Sequence, residues 1–189
     1  MSTPSSPRPR ADAHRNREKL LVAARDAFAA GEGDVTLDAL ARRAGVGIGT
    51  LYRNFPTRQT LVEAVYRSEL DDVVASAEAL LESRPADVAL RQWIDRYATF
   101  VATKQGMAEA FQQAVASGSI AASDTRGRIR ATLARFLVAG AESGTLRADV
   151  DPDVATMALL GAFLGTTAAT DRSQRDRVLD LLVDGLRPR

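Results

Sequence analysis

The chain has no cysteine and a single histidine among 189 residues. The first absence excludes disulfides, thiolate nucleophiles and cysteine-ligated zinc. The second removes most metal sites and nucleophile-base pairs, because imidazole is the usual ligand or base in them. Neither a metal nor a cofactor is expected. Carboxylates such as Asp95 and Glu109 remain, but they stand in no recognisable catalytic spacing, so a helical enzyme is only a remote reading. No apolar run approaches the roughly 20 residues of a membrane span. The head Met1 to Ala13 contains proline, serine and arginine without an apolar signal segment, so a cytoplasmic protein with no membrane partner is expected.

What is present is a 46% hydrophobic chain, long enough for a sizeable core, with a formal net charge of +1. That small number conceals an asymmetry. Residues 1–58 hold ten lysines and arginines against six acids, and the remaining chain fifteen against eighteen. A basic first third on a mildly acidic remainder suits a nucleic-acid-binding head joined to a body with another task.

The most informative stretch is TLDALARRAGVGIGTLYRNFPTR, residues 36–58. Thr36 is placed to cap a helix, Asp38 favours the dipole of its first turn, and Leu37, Leu40 and Ala41 recur at helical spacing. Gly45 reaches the left-handed conformation that ends a helix, with Val46 as the accompanying apolar contact. A second helix begins within two residues. Leu51 and Phe55 are its inward anchors, leaving Ile48, Gly49, Thr50, Tyr52, Arg53 and Asn54 on or near its outer surface. After Pro56, Thr57 and Arg58 open a further helix whose first-turn cation opposes the dipole, an arrangement that an anionic phosphate would relieve.

Residues 13–73 resemble the DNA-binding domain of the TetR family of one-component bacterial regulators, with Thr50 to Arg58 as the most telling run. The preceding helix, Arg15 to Ala30, carries Leu20 or Leu21, Ala24 and Phe28 at the spacing with which the family buttresses its motif. Three positions depart from the common pattern: Asn54 replaces a frequent histidine, Arg58 a lysine, and Gly47 a serine that often caps the recognition helix. Double-stranded DNA is the implied partner. Thr36, Tyr52, Thr57 and Arg58 suit phosphate; Gly47, Ile48, Gly49 and Thr50 form a groove-facing surface poor in donors. Arg53 is the one candidate for bidentate contact with guanine. Arg15, with Arg8 and Arg10, is placed to enter an adjacent minor groove.

Beyond residue 58 the apolar spacing is helical throughout, so the fold class expected is all-α with about nine helices. A flexible basic head (1–12), a DNA-binding domain (13–73, motif 36–55) and a sensing and dimerisation domain (74–189) are expected. The long helix after the motif runs to about Ser83, where Arg84-Pro85 ends it. Arg126, Arg128, Arg130 and Arg135 cluster on one helix, most simply as a solvated face. The resemblance implies a small-molecule effector in the body, for which Trp93, Tyr97, Phe100, Met107, Phe111, Gln112, Phe136 and Phe163 are candidates. Met157 belongs with the same large apolar residues. It also implies a homodimer through the last two helices, Pro152 to Ala169 and Arg172 to Leu186. Ala158, Gly161, Ala162, Gly165, Leu179 and Leu182 are candidate interface residues. The function so implied is a repressor released from a palindromic operator by its effector. A regulator of the same fold that is independent of ligand, or controlled by a protein partner, is the alternative.

Overall fold

The computed structural model describes residues 9–166 and 172–188, and all secondary structure among them is helical. In chain order the helices are α1 (Pro9–Ala29), α2 (Leu37–Ala44), α3 (Ile48–Asn54), α4 (Arg58–Ser83), α5 (Ala86–Gly106), α6 (Ala108–Ala116), α7 (Ala122–Ser143), α8 (Pro152–Thr166) and α9 (Arg172–Leu186). Residues 9–12, expected in a flexible head, lie in α1. α1 begins at Pro9, where proline is tolerated because the first amide of a helix has no intrahelical acceptor. His14 therefore lies on a helix, while Arg8 and Thr167 to Ala169 fall outside the described residues.

Two compact units share these helices: Met1–Ser68 with Ala102–Ile120, and Glu69–Val101 with Ala121–Arg189. The chain passes from one to the other within α4, within α5 and again between α6 and α7. The core of the first unit is built from Leu20, Ala24 and Phe28 of α1, Leu40 of α2, Leu51 and Phe55 of the motif, and Leu61, Val62 and Val65 of α4. Tyr66 packs its ring 4.9 Å from that of Phe111, bringing α6 into this unit. The loop after α6 is tied to α4 by Gln59, which donates to Ser117 Oγ at 3.1 Å, and by Arg67, which donates to the Ser119 carbonyl at 2.9 Å.

The end of α5 meets α1 backbone to backbone. A Cβ on Gly106 would lie 1.8 Å from the Phe28 carbonyl oxygen, and one on Gly33 would lie 2.6 Å from the carbonyl of Gly106. No side chain fits at either point.

The second unit is organised around aromatic rings. Trp93 is fully buried and donates its indole N–H to the Val73 carbonyl at 3.0 Å, so its polar atom is satisfied inside the core. Asp151 caps α8, accepting from the amides of Asp153 and Val154 at 2.7 and 3.2 Å. The α7–α8 loop is held to the end of α9 by the Arg147 amide, which donates to the Leu186 carbonyl at 2.9 Å.

Because the obstruction at Gly106 is backbone, which cannot rotate away, Gly106→Ala should lower the melting temperature, with a loss of at least about 2 kcal/mol of stability. Thermal denaturation followed by circular dichroism measures it; an unchanged midpoint would show that α1 and α5 are free to separate.

Candidate nucleic-acid interface

α2 and α3 meet through a turn whose conformation the sequence dictates. Thr36 adopts an extended backbone and its hydroxyl oxygen accepts from the Ala39 amide at 3.2 Å, opening α2. Gly45 closes it at φ 63°, where a Cβ would be strained, and the Val46 amide returns to the Ala41 carbonyl at 3.0 Å. α3 then buries Leu51 alone among its seven residues, and Phe55 follows it into the core. Ile48 and Tyr52 are 42% and 48% exposed, which is unusual for large apolar side chains and leaves them on an open surface.

The residues expected to face DNA fall into three groups. Gly47, Ile48, Gly49, Tyr52 and Arg53 are exposed on α3 or its cap, and the Tyr52 hydroxyl has no partner among the described residues. Thr50 and Asn54 are half-buried on one flank, where the Asn54 amide donates to the Thr50 carbonyl at 2.8 Å. Thr36 and Thr57 cap α2 and α4; Thr57 Oγ1 accepts from the Thr60 amide at 3.1 Å while Thr60 Oγ1 accepts from the Thr57 amide at 3.2 Å. Both hydroxyls are exposed at helix N-termini, where amides and dipole favour an anion. Gly47 lacks a side-chain cap and has open space where a Cβ would stand, so serine would fit there.

Arg58 is placed differently from what the sequence suggests. The Arg58 guanidinium donates to the carbonyls of Val35 (2.6 Å) and Gly33, and lies 5.7 Å from the Phe28 ring centroid. It is committed to the α1–α2 loop and relieves the α4 dipole conflict with protein carbonyls. Arg15 is exposed on α1 and paired with Asp12. Arg17, which no spacing singled out, lies over the Phe55 ring at 5.4 Å, bracing the end of α3.

The effector candidates divide between the two units. Trp93, Tyr97, Phe100, Phe136 and Phe163 gather in the second unit: Trp93 and Tyr97 stack at 5.7 Å, Trp93 and Phe136 lie 5.6 Å apart, and Tyr97 and Phe163 meet edge-on at 5.1 Å. Met107, Phe111 and Gln112 belong to the first unit, where Gln112 is exposed. Phe111 also carries Lys104 Nζ 5.4 Å from its centroid, and burial lowers the lysine's pKa. Met157 is exposed on α8.

Of the interface candidates, Ala158, Gly161 and Gly165 are exposed, Ala162 and Leu182 are half-buried, and Leu179 is fully buried in its own unit. Spacing could not distinguish Leu179 from Leu181, which is 73% exposed. The α7 arginines are largely neutralised: Arg128 pairs with Asp71, Arg130 with Asp153 and Arg135 with Glu78.

A left-handed glycine turn between two short helices, the second presenting most of its surface outward, is a helix-turn-helix, and the fold is that of a DNA-binding regulator. The family model of tetR-type bacterial regulatory proteins matches residues 20–65, and that of the C-terminal domain of SbtR-like transcriptional regulators matches residues 84–188. A TetR transcriptional regulator from Streptomyces coelicolor is 43% identical, with 91% of this chain and 98% of that one aligned and a TM-score of 0.82. For a TetR regulator from Mycobacterium vanbaalenii the values are 37%, 95%, 99% and 0.74. A helix-turn-helix regulator of Staphylococcus aureus is 32% identical over 74 residues, 38% of this chain, which thus spans about two fifths (39%) of that curated relative. The chain belongs to the TetR family of transcriptional regulators. Among the described residues, no helix is long and apolar enough to cross a membrane.

Arg58→Ala should lower thermal stability, since hydrogen bonds to a charged group contribute about 1.5–3 kcal/mol. Arg58→Lys should recover only part of it, because an ammonium cannot reproduce the planar fork. Melting curves of the two variants decide this; wild-type stability in both would return Arg58 to a role at the DNA surface.

Proposed function

We propose that the protein is a homodimeric repressor, acting in the cytoplasm, that binds a palindromic operator and is released by a small molecule held in its C-terminal unit. The observation that carries the dimer is an apolar stripe facing outward on α8 and α9. Val154, Met157, Leu164 and Leu181 are 56%, 55%, 78% and 73% exposed, interleaved with Ala158, Gly161 and Gly165. A Cβ added at Gly161 or Gly165 would meet nothing within 4 Å, so nothing in the described chain requires glycine at either position. Exposed glycine in a helix costs about 1 kcal/mol relative to alanine. Beside exposed leucine and methionine it suits the close approach of a second helix pair. Two copies related by a two-fold axis would present two α3 helices to successive major grooves, which a palindrome matches.

The effector reading is supported by the aromatic cluster of the second unit. Its rings touch one another, so an effector gains room by parting the helices that carry them. A ligand that binds the parted state better shifts the population toward it, and α4 and α5, which run through both units, carry the change into the motif. Operator binding in a mobility-shift assay, lost on adding small molecules from a screen, tests the reading; binding that no effector disturbs would favour a regulator controlled by a protein partner.

Leu164→Glu and Leu181→Glu should each convert dimer to monomer in light scattering without lowering helical content, since both side chains are already outside the protomer core. Gly161→Ala should weaken the dimer as well. A monomeric wild-type chain, or glutamate variants that remain dimeric, would remove α8 and α9 from the interface.

A further inference from the structure

We propose that Arg53 is the specificity-determining residue of the motif, reading one guanine in each half-site, and that Thr50 positions it; this rests on the operator-binding reading above. At about 100° per residue, Gly49 and Arg53 fall about 160° from Leu51 on either side of the direction opposite the core. They form the outermost ridge of α3, with Ile48 and Tyr52 on one flank and Thr50 and Asn54 on the other. Gly49 has open space where a Cβ would stand, so base edges can approach the backbone there.

Arg53 lies back along this ridge, in the direction helical side chains lean. Its Nε donates to the Gly49 carbonyl at 3.1 Å and its Nη2 to Thr50 Oγ1 at 3.0 Å. Those two donors are the side of the guanidinium that faces its own helix. Of the five N–H groups, three remain, and one on Nη1 and one on Nη2 point outward in parallel. That outward fork matches the O6 and N7 acceptors that guanine presents in the major groove. No acceptor among the described residues takes it. A flexible exposed arginine would have to be ordered on binding, whereas this one is held by two hydrogen bonds with its reading edge free. Among Gly47, Ile48, Gly49, Thr50 and Tyr52 no other side chain has two parallel donors.

Selection of duplexes from a random pool, with the full chain and with Arg53→Ala and Thr50→Val, tests the assignment. The wild type should return a consensus with a guanine at one symmetric position of each half-site. Arg53→Ala should relax that position, reducing discrimination about 10- to 100-fold while the other positions persist. Thr50→Val, which keeps shape and loses the hydroxyl acceptor, should relax the same position more weakly; both variants should melt as the wild type does. A guanine that survives Arg53→Ala overturns the assignment. So does a uniform loss of affinity with a salt slope smaller by about one, because Arg53 then touches phosphate. Unchanged discrimination in Thr50→Val overturns the positioning role alone. A wild-type chain that selects no duplex defeats the operator reading itself.

Discussion

Everything this protein does at its DNA end depends on holding a helix that cannot hold itself. α3 has seven residues, and isolated helices shorter than about 12–15 residues are marginal in water. It buries a single side chain of its own. Its geometry is therefore imposed from outside: by Leu51 and Phe55 in the core under α1, by the left-handed turn at Gly45, and by Arg17 against the Phe55 ring. Arg58 extends the same logic one step back. By fastening the Gly33 and Val35 carbonyls to the start of α4, it sets where Thr36 begins α2 relative to where Thr57 begins α4. Two exposed helix N-termini suited to phosphate are thus spaced by one half-buried fork.

The glycines divide by what a side chain would meet. Gly33, Gly106 and Gly140 are filled by neighbouring backbone or by Leu146, and are needed for internal packing. Gly49, Gly161 and Gly165 stand in helices with open space around them, where alanine would be the more stable residue. On the proposed dimeric reading, their cost is explained by something outside the chain: DNA at α3, a second protomer at α8. Gly127 of α7 also faces open space.

The motif was legible in the sequence because its determinants are local. A capping threonine, a glycine turn and two apolar anchors all act within about twenty residues. The role of Arg58 was not, because its acceptors are backbone carbonyls 23 and 25 residues away, which carry no side-chain signal. For the same reason α6 read as part of the body, although its packing joins it to Tyr66 and the N-terminal helices. Helical periodicity reports that a face is apolar, never which neighbour covers it. In α8, apolar almost all round, it could not even say which face is covered.

The bareness of the reading surface bears on how an operator is recognised. One bidentate contact provides about 1–3 kcal/mol of discrimination, and two half-sites about twice that. Specific sites commonly exceed non-specific DNA by about 4–10 kcal/mol. A contact from Ile48 to a thymine methyl would add to the direct part, yet Gly47 and Gly49 contribute no side chain at all. A chain built this way must draw the remainder from phosphates held at fixed spacing and from the ease with which the duplex adopts that spacing. The rigidity of the Thr36 and Thr57 helix ends then becomes part of specificity, since a loosely held pair would accept DNA of any shape.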